Sequence, residues 1–137
     1  GDRSYFAIKK WLKDNPSQAS KILNNNFSYI FFKENKNSDA IGGAGVPLLS
    51  ERSIAIDKDI LPYGYPLWVE VEDYELGEFQ KLLISQDTGS AIKGTVRADI
   101  FFGSEENSEI RAANMNNKGQ YYILLPTKLV DNFFGIE

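Results

Sequence analysis

The sequence predicts a mainly β domain, a small barrel of six short strands running in mixed directions, with helices before and between them. Two patterns predict it. Turn-bounded runs rich in aromatic and β-branched residues recur from Phe27 to Leu125, and helical periodicity is confined to the first 26 residues and one later stretch. The chain has 137 residues, of which 42% are hydrophobic, enough to enclose one core. The expected organisation is a helical lead-in over residues 1–26 and a barrel over 27–137, one globular domain overall.

Tyr5, Ile8, Trp11 and Leu12 recur at helical spacing, with Lys9, Lys10 and Lys13 on the other side. Asn15-Pro16 stops that helix and starts a second one through Ala19, Ile22 and Leu23, because proline suits a first helical position. The expected strands are Phe27 to Lys33, Arg52 to Asp57, Pro66 to Glu72, Phe79 to Ser85, Ala98 to Phe102 and Gln120 to Leu125. Between the last two, Ser104 reads as a helix N-cap with Glu105 and Glu106 in the first turn, and Ile110, Ala113 and Met115 as the inner stripe. Residues 35 to 45 read as a loop at the rim.

The inventory excludes much chemistry. With no His and no Cys, there is no Ser-His or Cys-His couple and no ordinary zinc, haem or iron–sulfur ligation, so no metal or cofactor is expected. Acid–base work falls to Asp, Glu, Lys or Tyr. Net charge is −4, distributed unevenly: residues 1–36 hold seven basic and three acidic groups, the other 101 eight and sixteen. An acidic body repels phosphate backbones, so nucleic acid is not an expected partner. No apolar run approaches the roughly 20 residues that span a bilayer. The chain opens Gly1-Asp2, which suggests a trimmed segment whose leader or anchor lies elsewhere.

The stretch QDTGSAIKGTVRADIFFG, residues 86–103, carries the most chemical information. Asp87 ends the apolar run Leu82-Leu83-Ile84, Gly89 and Gly94 let backbone approach a ligand closely, and Lys93 places a charge between them. Asp99 opens the next apolar run. Two strand-end carboxylates around one glycine-bearing loop can face each other across a cleft, and a carboxyl among apolar groups beside a second carboxylate favours its protonated form. Asp57, ending RSIAID, is a third candidate, although the commoner role of such an aspartate is to form a turn. The commoner roles of Lys93, and of Trp68, Tyr29 and Phe101, are a solvated loop cation and core packing. The acidic run Glu70, Glu72, Asp73, Glu75, Glu78 reads as a solvated edge that discourages strand pairing.

RSIAID, QDTGSAIKG and RADIFFG, preceded by GAGVPL, SYIFFKE and SYFAIKKWLKDNP, resemble the membrane-bound lytic murein transglycosylase A family and its 3D domain, named for three aspartates, here Asp57, Asp87 and Asp99. Short secreted 3D-domain proteins are looser cousins. The resemblance implies a six-stranded double-psi β-barrel and non-hydrolytic cleavage of peptidoglycan glycan strands, with Asp99 as general acid and then base and Asp87 as its electrostatic helper. Gly89, Ser90, Lys93 and Asp57 would then contact substrate. It also implies a groove shared with a second domain encoded upstream, absent from this chain, and a periplasmic, outer-membrane location through an anchor outside this sequence. Two rivals remain: Asp87-Thr88-Gly89-Ser90 spells an aspartic protease signature, which at this length requires a homodimer, and a barrel with exposed aromatics can bind carbohydrate passively.

Overall fold

The computed structural model describes residues 1–28, 31, 34, 40–73, 77–95 and 97–134. They fall into two compact units, residues 1–36 and 37–137.

The first unit holds helices α1 (Tyr5–Asp14) and α2 (Pro16–Leu23). The Ser4 hydroxyl caps α1 by accepting from the Ala7 amide, and Asn15 closes it by donating its backbone N–H to the Trp11 carbonyl. Proline then begins α2, as its missing N–H allows. The helices are amphipathic as expected, yet neither buries a residue: Tyr5, Ile8, Trp11, Ile22 and Leu23 are all exposed.

The second unit is one mixed sheet flanked by helices. Strands β1 (Ser53–Ala55), β2 (Pro66–Asp73), β3 (Gly77–Asp87), β4 (Asp99–Ile100) and β5 (Gly119–Ile123) lie in the order β4-β1-β3-β2-β5. β2 and β3 form a long antiparallel hairpin from Pro66↔Ile84 to Asp73↔Gly77, and β5 adds antiparallel to β2. β1 runs parallel to β3, and β4 antiparallel to β1. All five strands coincide with expected runs. The sixth, Phe27 to Lys33, rests largely on residues outside those described. Among the described residues the sheet is open, with β4 and β5 as its edges, rather than closed into a barrel.

Alternation along the hairpin places Leu67, Val69, Phe79 and Leu83 in the core with Ile54, Ile56, Leu61 and Phe102. Phe79 and Phe102 meet edge to face at 6.3 Å between ring centroids. Helix α3 (Ser108–Asn114) starts three residues later than a cap at Ser104 suggested. Gly103, at φ +94°, turns the chain first, and the Ser108 hydroxyl holds that turn by donating to the Phe102 carbonyl and accepting from the Glu105 amide. The expected inner stripe is also displaced. Ile110 and Ala113 are exposed, and α3 packs instead through Arg111, whose guanidinium lies 4.7 Å from the Phe102 ring centroid, and through Met115 just past its end. Arg111 and Lys81 both pair with the half-buried Glu51, which sits at φ +56°. A final helix, α4 (Thr127–Phe134), follows Pro126 and was not expected. No helix among the described residues is long and apolar enough to cross a membrane.

Candidate active site

The two aspartates that bracket the glycine loop take their positions from the strands on either side of β1. Asp87 is the last residue of β3 and Asp99 the first of β4. Both are register partners of Ala55, Asp87 from the parallel side and Asp99 from the antiparallel side. Strands lie about 4.8 Å apart, so the two backbones stand about 10 Å apart across β1. A one-residue bulge sets this arrangement: Ile54 faces Ser85 but Ala55 faces Asp87, so Gln86 is passed over. Such a bulge re-aims the side chain that follows it. Gln86 instead accepts from the Ser53 hydroxyl at 2.6 Å.

Asp87 is partly buried, and its Oδ1 accepts from the Gly43 amide at 2.8 Å. That amide belongs to the Gly42–Gly45 turn, which is fastened to the same strand end by the Ala44 amide donating to the Gln86 carbonyl at 3.0 Å. The backbone of this turn passes close to its neighbours. A Cβ on Gly42 would stand 2.4 Å from the Gln86 carbonyl oxygen, and one on Gly43 2.5 Å from the Tyr63 hydroxyl.

Asp99 departs from the expected buried acid. Its side chain is 50% exposed and meets the Arg97 guanidinium at 3.3 Å, because β4 is a two-residue edge strand whose only neighbour among the described residues is β1. It does open on a concavity. Asp99, Arg97, Ile100, Val71, Met115 and Asn117 are among the residues lining a cavity of about 660 Å³ between β4, the end of β2 and the segment after α3. Asp87 lies outside that cavity, beyond β1.

The remaining expected site residues cluster around Asp57. That residue is 6% exposed and its carboxylate is fully engaged: it accepts from the Gly94 amide at 3.1 Å, the Lys93 ammonium at 3.0 Å and the Asp59 amide at 3.2 Å. The Gly94 amide first, and Lys93 second, hold its carboxyl below the usual aspartate range. Lys93 also pairs with Asp59 at 2.7 Å, so its charge lies between two carboxylates. Gly89 is partly buried, with its carbonyl accepting from Ile92, while Ser90 is exposed.

The acidic run lies partly on a second concavity of about 400 Å³ that includes Glu70, Glu72, Glu78 and Lys118. Glu72 and Glu78 are direct cross-strand partners, and Glu70 accepts from the Trp68 indole and the Gln120 amide. Among the described residues no cluster of His, Cys, Asp or Glu is arranged to hold a metal. Sequence reasoning missed the parts played by Gly43, Arg97 and the Met115–Asn117 wall. The Gly42-Gly43 pair was a usable signal, since adjacent glycines mark close backbone approach.

The 3D domain family matches residues 52–125. Among curated proteins, the chain is similar to the membrane-bound lytic murein transglycosylase A of Vibrio cholerae, 34% identical over 128 residues, covering 88% of this chain and 34% of that protein. It is likewise similar to the Escherichia coli protein of that name, 31% identical over 145 residues, 98% of this chain and 38% of the relative. Among solved structures, a membrane-bound lytic murein transglycosylase from Agrobacterium tumefaciens superposes with a TM-score of 0.80 at 36% identity, over 95% of this chain and 37% of that one. The E. coli protein with bound chitohexaose superposes with a TM-score of 0.78 at 29% identity, over 87% and 38%. The chain thus spans about a third of the length of the curated relatives it matches.

Proposed function

The chain belongs to the 3D-domain family, and from that premise we propose that it carries the acid–base half of a peptidoglycan lytic transglycosylase. The supporting observation is the shared register of Asp87 and Asp99 on Ala55, with Asp99 opening on a cavity large enough for saccharide groups. The reaction cleaves the β-1,4 bond between N-acetylmuramic acid and N-acetylglucosamine. Protonated Asp99 gives its proton to the glycosidic oxygen as the C1–O bond breaks. The muramoyl C6 hydroxyl then attacks C1 and returns its proton to Asp99, closing a 1,6-anhydro ring and restoring the acid. One carboxyl serves both steps because the sugar supplies the nucleophile, whereas hydrolytic glycosidases ordinarily need a second carboxylate. Asp87, across β1, contributes negative charge that favours the developing oxocarbenium ion. Gly89 and Ser90 present backbone amides to acetamido or hydroxyl groups.

In the same reading the sheet belongs to a six-stranded double-psi barrel. The partner is a peptidoglycan glycan strand, gripped jointly with a domain outside this chain, in the periplasm at an outer membrane reached through an anchor also outside it. The test is digestion of purified murein sacculi by this chain alone and by a chimera in which it replaces the corresponding third of the Agrobacterium relative. Anhydromuropeptides from the chimera, and none once Asp99→Asn is introduced, support the proposal. Products with free reducing ends overturn it. A chimera that binds murein equally with or without Asp99→Asn, and releases nothing, is a passive binding module.

A further inference from the structure

We propose that Asp57 is a positioning residue, which fixes the loop between Asp87 and Asp99 and so sets the geometry of the acid pair rather than touching glycan. The proposal deepens the transglycosylase reading and rests on it. Its ground is a carboxylate that is 6% exposed and already accepts from one ammonium and two backbone amides, all from this chain. Two of those donors, Lys93 and Gly94, are consecutive residues of the loop. The third, Asp59, closes a turn that the Asp57 carbonyl completes by accepting from Ile60 and Leu61 at 3.0 Å each. Asp57 therefore anchors the segment just past β1 to the middle of the loop.

Every residue of the Ala91-Ile92-Lys93-Gly94 run that has a partner then has a reason to be there. Ile92 is buried and lies under Gly89, where a Cβ would meet it at 3.3 Å. Lys93 bridges Asp57 and Asp59. Gly94, at φ +104°, adopts a left-handed conformation that turns its amide onto Asp57 and that other residues reach only with strain. At the start of the loop, the Thr88 hydroxyl donates to the Ile56 carbonyl at 2.8 Å, one residue before Asp57. The loop is pinned at its start and its middle to Ile56-Asp57, which continue the strand whose Ala55 carries the register of both aspartates. Displacing a reacting group by about 1 Å can cost on the order of 100-fold in turnover.

Two measurements on Asp57→Asn test this. In the chain as it stands, amide hydrogen exchange followed by NMR should show Gly94 exchanging at least about tenfold faster, while Ile84 and other sheet amides keep their rates. Gly94 protection that is unchanged overturns the proposal. In the chimera with the Agrobacterium relative, Asp57→Asn should lower kcat by about 10- to 100-fold with KM for murein within about twofold. A raised KM with unchanged kcat would make Asp57 a substrate contact and overturn it. Lys93→Met, at a half-exposed side chain, covers the case in which Asp57→Asn does not fold. It should speed Gly94 exchange and lower kcat more mildly, again at constant KM, and a change confined to KM overturns the proposal. An inactive unmutated chimera defeats the transglycosylase reading, and the exchange rates then still decide whether Asp57 fixes the loop.

Discussion

Asp87 and Asp99 share one register partner, Ala55, and approach it from opposite sides of β1. The residue between them has only a methyl group, and a larger one there should disturb the register that both aspartates share. Because Ala55 is 7% exposed, Ala55→Val also crowds its neighbours and should cost about 1–3 kcal/mol of stability, read by urea unfolding. In the chimera, the same substitution should lower turnover beyond what the loss of folded protein explains.

Asp99→Asn should leave the fold intact and abolish transglycosylation. The side chain is half exposed and its ion pair with Arg97 lies at the surface, where such pairs contribute about 0–1 kcal/mol. The unfolding midpoint should therefore move little, while anhydromuropeptide release by the chimera, measured by mass spectrometry, falls to background because the amide has no acidic proton to give. A variant retaining most activity would remove Asp99 from the reaction.

Gly43→Ala places a methyl group 2.5 Å from the Tyr63 hydroxyl and should destabilise by about 1–3 kcal/mol, loosening the amide that holds Asp87. Tyr63→Phe removes the clashing oxygen. The double variant should recover part of the loss, a coupling that a double-mutant cycle measures directly. Strict additivity would show that the clash is relieved elsewhere.

The pH dependence of stability follows from the Asp57 cluster. Asp57 and Asp59 both titrate below their ordinary value of 3.8 in the folded chain, Asp57 chiefly through the Gly94 amide and Asp59 chiefly through Lys93. A carboxyl with a depressed folded pKa contributes stability that is fully present above the unfolded pKa and lost as pH falls through the folded one. Urea midpoints should thus decline as pH drops below 3.8, and Asp57→Asn should flatten that decline. Lys93 is raised above 10.5, first by Asp59 and then by Asp57, so its contribution is complete below 10.5 and fades as pH climbs past the higher folded value.

Glu51 joins Lys81 on β3 to Arg111 on α3 at a backbone angle few side chains adopt. Arg111→Leu should cost about 1–2 kcal/mol, less than a fully buried pair would, since the guanidinium is one-third exposed. The loss should appear as increased amide exchange in α3 and the Met115–Asn117 wall. Equal loosening of β2 and β3 would argue against a local role.

Much of this was legible in the chain because it is local. Short apolar runs ending in Asp, Gly or Pro marked all five strands, and the aspartates at strand ends followed from the same turns. What was not legible depends on distant residues. Nothing near Asp57 announces that its partners are Lys93 and Gly94, and nothing near Asp99 announces an edge strand that leaves it half exposed. The bulge that brings Asp87 opposite Ala55 is a property of two strands and cannot be read from either. Ser104 carried the signature of a cap, but Gly103 spent the next residues on a turn held by Ser108. α4 was missed although Pro126-Thr127 is a sound start for a helix.

Among the described residues, the three residues of β1 are the sheet's only bridge to Asp99. The hairpin carrying Asp87 closes over a three-residue gap, but β1 reaches it by pairing residue 53 with residue 84, and β4 pairs with β1 alone among the described residues. Such distant pairings form against a larger loss of chain freedom than a hairpin does. A partly ordered chain with its hairpin complete would therefore hold one aspartate in place without the other, so the pair is assembled only when the last strands are seated.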